Sequence, residues 1–181
     1  MSHRVKPGSV STTPAPAKDF WRTDPVAVQD AEHLLGQPLL LDAAAEAGSE
    51  ACHFFITPEQ DALKTEWNDA IYYGNTVWCN PPFTQKEVFL ARAKEQADRH
   101  KLTVCCMIPY EPTTGWWREC VRDQASIVYR PDGRYNYVNH IAGELMSGCH
   151  FVSCFVVFTP MTMPTITVDY ERGISQAGGA A

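Results

Sequence analysis

Apolar side chains recur at Val26, Val28, Ala31, Leu34 and Leu35, the spacing of one helical face. Thr23 or Asp24 before Pro25 supplies a cap and a first position, and Gly36 a stop, so the pattern predicts a helix over 25–35. Leu39-Leu40-Leu41 is a short buried-strand pattern closed by Asp42, and His53 to Ile56 is a second. Thr57-Pro58-Glu59 then predicts a helix start, with Asp61 in or just after that helix and Trp67 closing the segment. Val77 to Cys79 reads as a strand, and Lys86 to Arg99 as a helix with Val88, Phe89, Ala93 and Ala97 inward. Leu102 to Pro109 is a continuous apolar run, suited to a strand covered on both faces. A helix carrying Trp116, Trp117 and Val121 follows Thr113-Thr114, and strands follow at Ser126–Arg130, Gly133–Val138 and Phe151–Phe158. Strands alternate with helices early and gather late. This predicts a three-layer α/β/α domain on a mixed sheet with an antiparallel end.

One junction carries unusual chemistry. The strand at Val77–Cys79 ends in Asn80-Pro81-Pro82-Phe83. Two consecutive prolines have fixed φ and no N–H to give a ladder, so the strand stops in a stiff loop. In an open α/β sheet, the carboxyl end of a strand is where ligands bind. The Asn80 side-chain carbonyl and the Pro81 backbone carbonyl are both acceptors. Together they can take the two hydrogens of a planar amino group, leaving its lone pair free for attack, while Phe83 offers a ring for stacking. The plainer alternative is a proline-rich turn capped by Asn80. No covalent thiol step is needed, so Cys79 is not read as a nucleophile.

Composition narrows the picture. The 181 residues suffice for one full core. Residues 1–18, rich in Ser, Thr, Pro and Ala, predict a disordered leader; residues 19–170 a single domain; and residues 171–181, ending Gly-Gly-Ala-Ala, a flexible tail. No apolar run reaches membrane-span length and the start lacks a signal-peptide core, so cytoplasmic residence is expected. The seven cysteines are odd in number and sit largely in apolar runs, which predicts reduced, buried thiols; no spacing suggests a metal site. The formal net charge of −6 weighs against a nucleic-acid partner unless cations are concentrated locally.

Taken in order, the motifs from Phe20 to Phe158 resemble the phage-type DNA N6-adenine methyltransferases. They are Trp21-Arg22-Thr23-Asp24-Pro25, Leu41-Asp42-Ala43-Ala44-Ala45, Phe55-Ile56-Thr57 through Asp61-Ala62-Leu63 with Trp67, and Val77 to Phe83. Ile108-Pro109, Trp116 and Gly133-Arg134-Tyr135-Asn136-Tyr137 complete the series. The chain departs from the family in placing Asp24 between Thr23 and Pro25, in having only Gly48 in the cofactor loop, and in carrying Glu111-Pro112 where basic or polar residues are usual.

The resemblance implies a Rossmann-like, S-adenosylmethionine-dependent methyltransferase that acts on the N6 amine of adenine in DNA. It would be encoded by a bacteriophage or prophage, work in the bacterial cytoplasm, and protect phage DNA from host restriction. By the same resemblance Asn80, Pro81, Pro82 and Phe83 hold the target base. Asp42 and Ala44 line the S-adenosylmethionine site, and Trp21 and Thr23 close over it. Asp61 approaches the cofactor or the target amine, unless it is a helix-surface carboxylate. Arg134 and Trp116 face DNA, although a surface salt bridge is an equal reading of Arg134. Two alternatives stay open: a methyltransferase of RNA or of protein glutamine, and a catalytically silent nucleic-acid-binding module.

Overall fold

The computed structural model describes residues 21–45, 50–139, 145–146, 151–161 and 164–177. The expected leader, the glycine of the cofactor loop (Gly48), Cys149, His150 and the end of the tail lie outside the described residues. The chain runs through β1 (Trp21–Thr23), α1 (Pro25–Leu35), β2 (Leu41–Asp42), β3 (Phe54–Phe55), β4 (Thr76–Cys79), α2 (Lys86–His100) and β5 (Thr103–Pro109). It continues through α3 (Gly115–Cys120), β6 (Ile127–Pro131), β7 (Tyr137–Asn139), β8 (Leu145–Met146), β9 (Ser153–Phe158), β10 (Ile166–Tyr170) and α4 (Ile174–Ala177).

α1 forms where its punctuation places it. Asp24 is extended, and its side chain accepts from the Val26 N–H at 3.0 Å. Pro25 takes the first turn, and Gly36 closes the helix at φ 68°, a conformation glycine adopts without a Cβ penalty. α2 ends at Lys101, which is also left-handed. It buries Phe89, Leu90, Ala93, Gln96 and Ala97. Val88, expected inward, is 51% exposed, because the buried stripe runs through 89, 93 and 97 and leaves 88 on the outer side.

Seven strands form one sheet in the order β10-β6-β9-β5-β4-β2-β3. β3, β2, β4 and β5 are mutually parallel. β9 is antiparallel to both β5 and β6, and β6 is parallel to β10. The expected antiparallel end is therefore a single reversed strand wedged inside the sheet. The core strands alternate between two apolar clusters, which is why their sequences read as unbroken hydrophobic runs. Val77, Cys79, Val104, Cys106 and Val156 face the cluster shared with α2 and Trp117. Trp78, Cys105, Met107, Phe155 and Val157 face the cluster shared with Ala27 and Ala31 of α1.

A separate three-stranded sheet, β1-β7-β8, pairs Thr23 with Tyr137. Of the expected Gly133–Val138 strand only Tyr137 and Val138 are in a ladder, within β7. Tyr135, just before it, is buried, and its hydroxyl donates to Asp30 at 2.6 Å and lies 2.8 Å from that of Tyr170. The helix expected from Thr57 is a short turn, Pro58–Gln60, stopped by Asp61 at φ 55°. Part of the expected tail is ordered: α4 follows β10, and Asp30 accepts from Gly173 N–H and from both Ser175 N–H and Ser175 Oγ–H. The described cysteines are free, most of them buried. Among the described residues no helix is long and apolar enough to cross a membrane.

Candidate active site

The site lies where the sheet changes direction. From β2 the chain moves to β3 on one side, and from β4 to β5 on the other. A crevice between the carboxyl ends of β2 and β4 is the position at which open α/β sheets bind ligands. Asp42 ends β2 in register with Trp78, and Asn80 follows β4 directly.

Asp42 is 4% exposed. Its two carboxylate oxygens accept from the Ala44 N–H at 3.1 Å and the Ala51 N–H at 3.0 Å, tying both ends of the loop to the strand. Ala43 N–H in turn donates to the Trp78 carbonyl, and Ile56 N–H to that of Asp42. Burial pushes the Asp42 carboxyl up to about 6 despite those two bonds, with Glu50 adding repulsion. A carboxylate this buried would gain by receiving a cation.

Across the crevice, Asn80 Nδ2 donates to Thr23 Oγ1 at 3.0 Å. This bond fixes which way the amide points: the nitrogen faces β1 and the Oδ1 carbonyl is turned away from it. Among the described residues Oδ1 accepts no hydrogen bond, and neither does the carbonyl of Pro81, which is buried. The Pro82 carbonyl is occupied by the Gln85 N–H at 2.9 Å. Two acceptors thus stand open side by side in sequence on a loop that two prolines stiffen. Cys79 beneath them is buried, and desolvation together with Cys106 holds its thiol well above the ordinary range, so it stays protonated.

The aromatic wall is wider than the motif alone. Phe83 meets Phe151 with ring centroids 5.8 Å apart. The Lys86 ammonium lies 5.2 Å from the Phe83 centroid and 5.0 Å from that of Trp116. Trp116 is held by a bond from its Nε1–H to Glu111 Oε2 at 3.0 Å and by edge contact with Trp117. Sequence reasoning missed Phe151 and Lys86. Phe151 precedes β9, whose reversed direction starts it at the carboxyl end of β5, where Pro109 pairs with Ser153. Only that pairing reveals the proximity. Lys86 had a visible signal, a lone cation three residues after Phe83.

The other expected residues are distributed as follows. Thr23 is brought to Asn80. The backbone of Trp21 is in β1, and its side chain lies outside the described residues. Asp61 follows the turn after β3, and its carboxylate is engaged locally, by the Lys64 ammonium at 2.6 Å and the Leu63 N–H at 3.2 Å. Arg134 has an exposed side chain, and its backbone carbonyl accepts from Arg172.

The sequence profile described as DNA N-6-adenine-methyltransferase (Dam) matches residues 10–178 of this chain. The chain belongs to the DNA N-6-adenine-methyltransferase family. Among its relatives, the DNA N-6-adenine-methyltransferase of Haemophilus phage HP1 is 31% identical over 150 residues, covering 83% of this chain and 84% of that protein. That of Escherichia phage T1 is 29% identical over 152 residues, 76% of this chain and 61% of the phage protein. No solved structure matches. Thr23 is hydrogen-bonded to Asn80, and Asp42 ends the strand next to β4, while Asp61 and Arg134 are tied to none of these by a hydrogen bond or ion pair among the described residues.

Proposed function

We propose that this chain is an adenine-specific DNA methyltransferase that transfers the methyl group of S-adenosylmethionine to the exocyclic N6 of adenine, with Asn80 to Phe83 as the base-holding loop. The observation that carries the reading is the pair of unoccupied acceptors, Asn80 Oδ1 and the Pro81 carbonyl, at the sheet's switch point beside the buried Asp42 carboxylate. The strand order and the apolar clusters on both sheet faces support a Rossmann-like, three-layer methyltransferase fold.

The crevice fits the cofactor on chemical grounds. S-adenosylmethionine supplies a methyl group activated by a positively charged sulfur. Asp42, pushed up by burial, gains from a nearby positive charge, and Ala43 to Ala45 place no bulky side chain after it. An adenine inside a duplex cannot place its amine in such a crevice, so the base must leave the stack. Asn80 Oδ1 and the Pro81 carbonyl then accept the two amine hydrogens and keep the nitrogen lone pair directed outward. Bound here, S-adenosylmethionine would supply the methyl group to that lone pair, its sulfur taking the electrons of the broken C–S bond, while Asn80 and Pro81 hold the nitrogen and the surplus proton passes to solvent. Catalysis by this chain is therefore positioning and fixed dipoles. Phe83 and Phe151 supply the apolar walls for the base.

Incubation with S-adenosylmethionine and unmethylated DNA, digestion to nucleosides and mass spectrometry should give N6-methyladenine. Asn80→Ala should lower the rate at least about 10²-fold with cofactor binding intact. Undiminished turnover in that variant, or methylation of RNA or protein with none of DNA, would overturn the reading.

A further inference from the structure

In a chain of net charge −6, electrostatic attraction of DNA phosphate falls first to cations that its own carboxylates have not neutralised. Lys64, Arg92, Lys94, Arg99, Arg130 and Arg172 each lie within ion-pair distance of an Asp or Glu. Lys86 has no such partner among the described residues. Its ammonium is held between two aromatic rings, 5.2 Å from Phe83 and 5.0 Å from Trp116. Phe83 belongs to the base-holding loop, and Trp116 to the helix after β5. Glu111, which accepts from the Trp116 indole N–H, is not within ion-pair distance of Lys86. Arg118 also lacks a carboxylate and folds back to donate to the Thr113 carbonyl at 3.1 Å, ahead of the same helix.

An exposed lysine is normally hydrated and mobile. Between two ring faces it loses part of its water and much of its rotamer freedom, and the rings compensate only the charge, leaving the N–H donors for an oxygen anion. We propose that Lys86 is a DNA-positioning residue whose ammonium contacts a backbone phosphate beside the adenine held at Asn80–Phe83. The inference rests on the proposed DNA substrate and deepens it. It gives an acidic protein a local attraction for duplex DNA at this site: Lys86 is a described cation without a carboxylate partner that lies against Phe83 of the base loop.

The test is equilibrium binding of wild type, Lys86→Met and Lys86→Arg to unrelated duplexes, by fluorescence anisotropy across a salt series. Met keeps the apolar stem between the rings and removes the charge. Its affinity should fall about five- to tenfold near 0.1 M salt on every sequence, and the slope of log affinity against log salt should become shallower by about 0.9, one phosphate contact. Arg should restore the slope. Melting temperature and S-adenosylmethionine affinity should match wild type in both variants. An unchanged slope in folded Lys86→Met, beside a wild type that binds DNA with clear salt dependence, overturns the phosphate contact and leaves the DNA reading standing. A wild type with no salt-dependent DNA affinity overturns the DNA reading itself, and the Lys86 contact with it.

Discussion

At the scale of single residues, the proposed chemistry depends on the orientation of one amide. Asn80 can serve the target amine only with Oδ1 toward the crevice, and the Thr23 hydroxyl at 3.0 Å from Nδ2 is what enforces that choice. Thr23 belongs to β1, so its position is set by pairing with Tyr137 and by nothing in the Asn-Pro-Pro-Phe segment. Thr23→Val removes the acceptor and keeps the shape. The amide then samples both flips, and kcat should fall by about 10- to 10²-fold with KM for DNA and S-adenosylmethionine little changed. Thr23→Ser should recover most of the rate, because the hydroxyl oxygen returns. Steady-state kinetics of the pair decides this: equal rates for Val and wild type would mean that the bond does not orient Asn80.

At the scale of elements, the fold is held by polar bonds between segments far apart in sequence. Asp30 sits on the buried face of α1 between Ala27 and Ala31, fully excluded from solvent. Burial alone would raise its pKa, yet the bonds from Tyr135, Gly173 and Ser175 outweigh that and leave it below the ordinary value. This one carboxylate fastens α1 to the Gly133–Tyr137 segment and to α4. Tyr135→Phe deletes one of its donors and should cost about 1–2 kcal/mol, lowering Tm by about 3–6 °C. Asp30→Ala leaves several buried donors unpaired and should cost more. A thermal melt checks both; a Tyr135→Phe protein as stable as wild type would mean that the hydroxyl is idle. These contacts also mark where sequence legibility ends. α1 was readable because Asp24, Pro25 and Gly36 are local signals, and the base loop because two prolines fix it whatever surrounds them. The helix expected at Thr57 failed on a local detail: Gln60 Oε1 accepts from the Thr57 N–H and Asp61 turns left-handed, which closes the turn after three residues. Thr23 at Asn80, Phe151 at Phe83 and Ser175 at Asp30 depend on the register of β9 and the docking of β1 and α4, and no local pattern encodes them. Arg134 was singled out from its motif, yet the neighbour Tyr135 makes the buried bond there.

At the scale of the whole molecule, two carboxylates give stability and cofactor affinity opposite responses to pH. Glu66 accepts from Gln96, His100, Arg92 and Arg99 of α2, and the bonds from Gln96, His100 and Arg92, Gln96 first, hold it down to about 2. Its folded pKa is depressed, so its contribution is present above the unfolded value of 4.5 and is lost as pH falls from there toward 2. Asp42 has the reverse sign. Its folded pKa is raised from 3.8 to about 6, so its contribution to the ligand-free protein is fully present below 3.8 and is lost as pH rises through about 6. At neutral pH the end of β2 therefore holds an ionised carboxylate against its surroundings. A positively charged ligand relieves that state, so S-adenosylmethionine should bind more tightly as pH rises from about 5 to 7, with proton release on binding that is largest below pH 6 and falls away above it. Titration calorimetry in two buffers of different ionisation enthalpy measures that proton directly. Asp42→Asn should abolish the release and flatten the pH profile of affinity while the Glu66-dependent acid unfolding stays in place. Proton release that persists in Asp42→Asn would move the titrating group away from the end of β2, and the cofactor's positive charge with it.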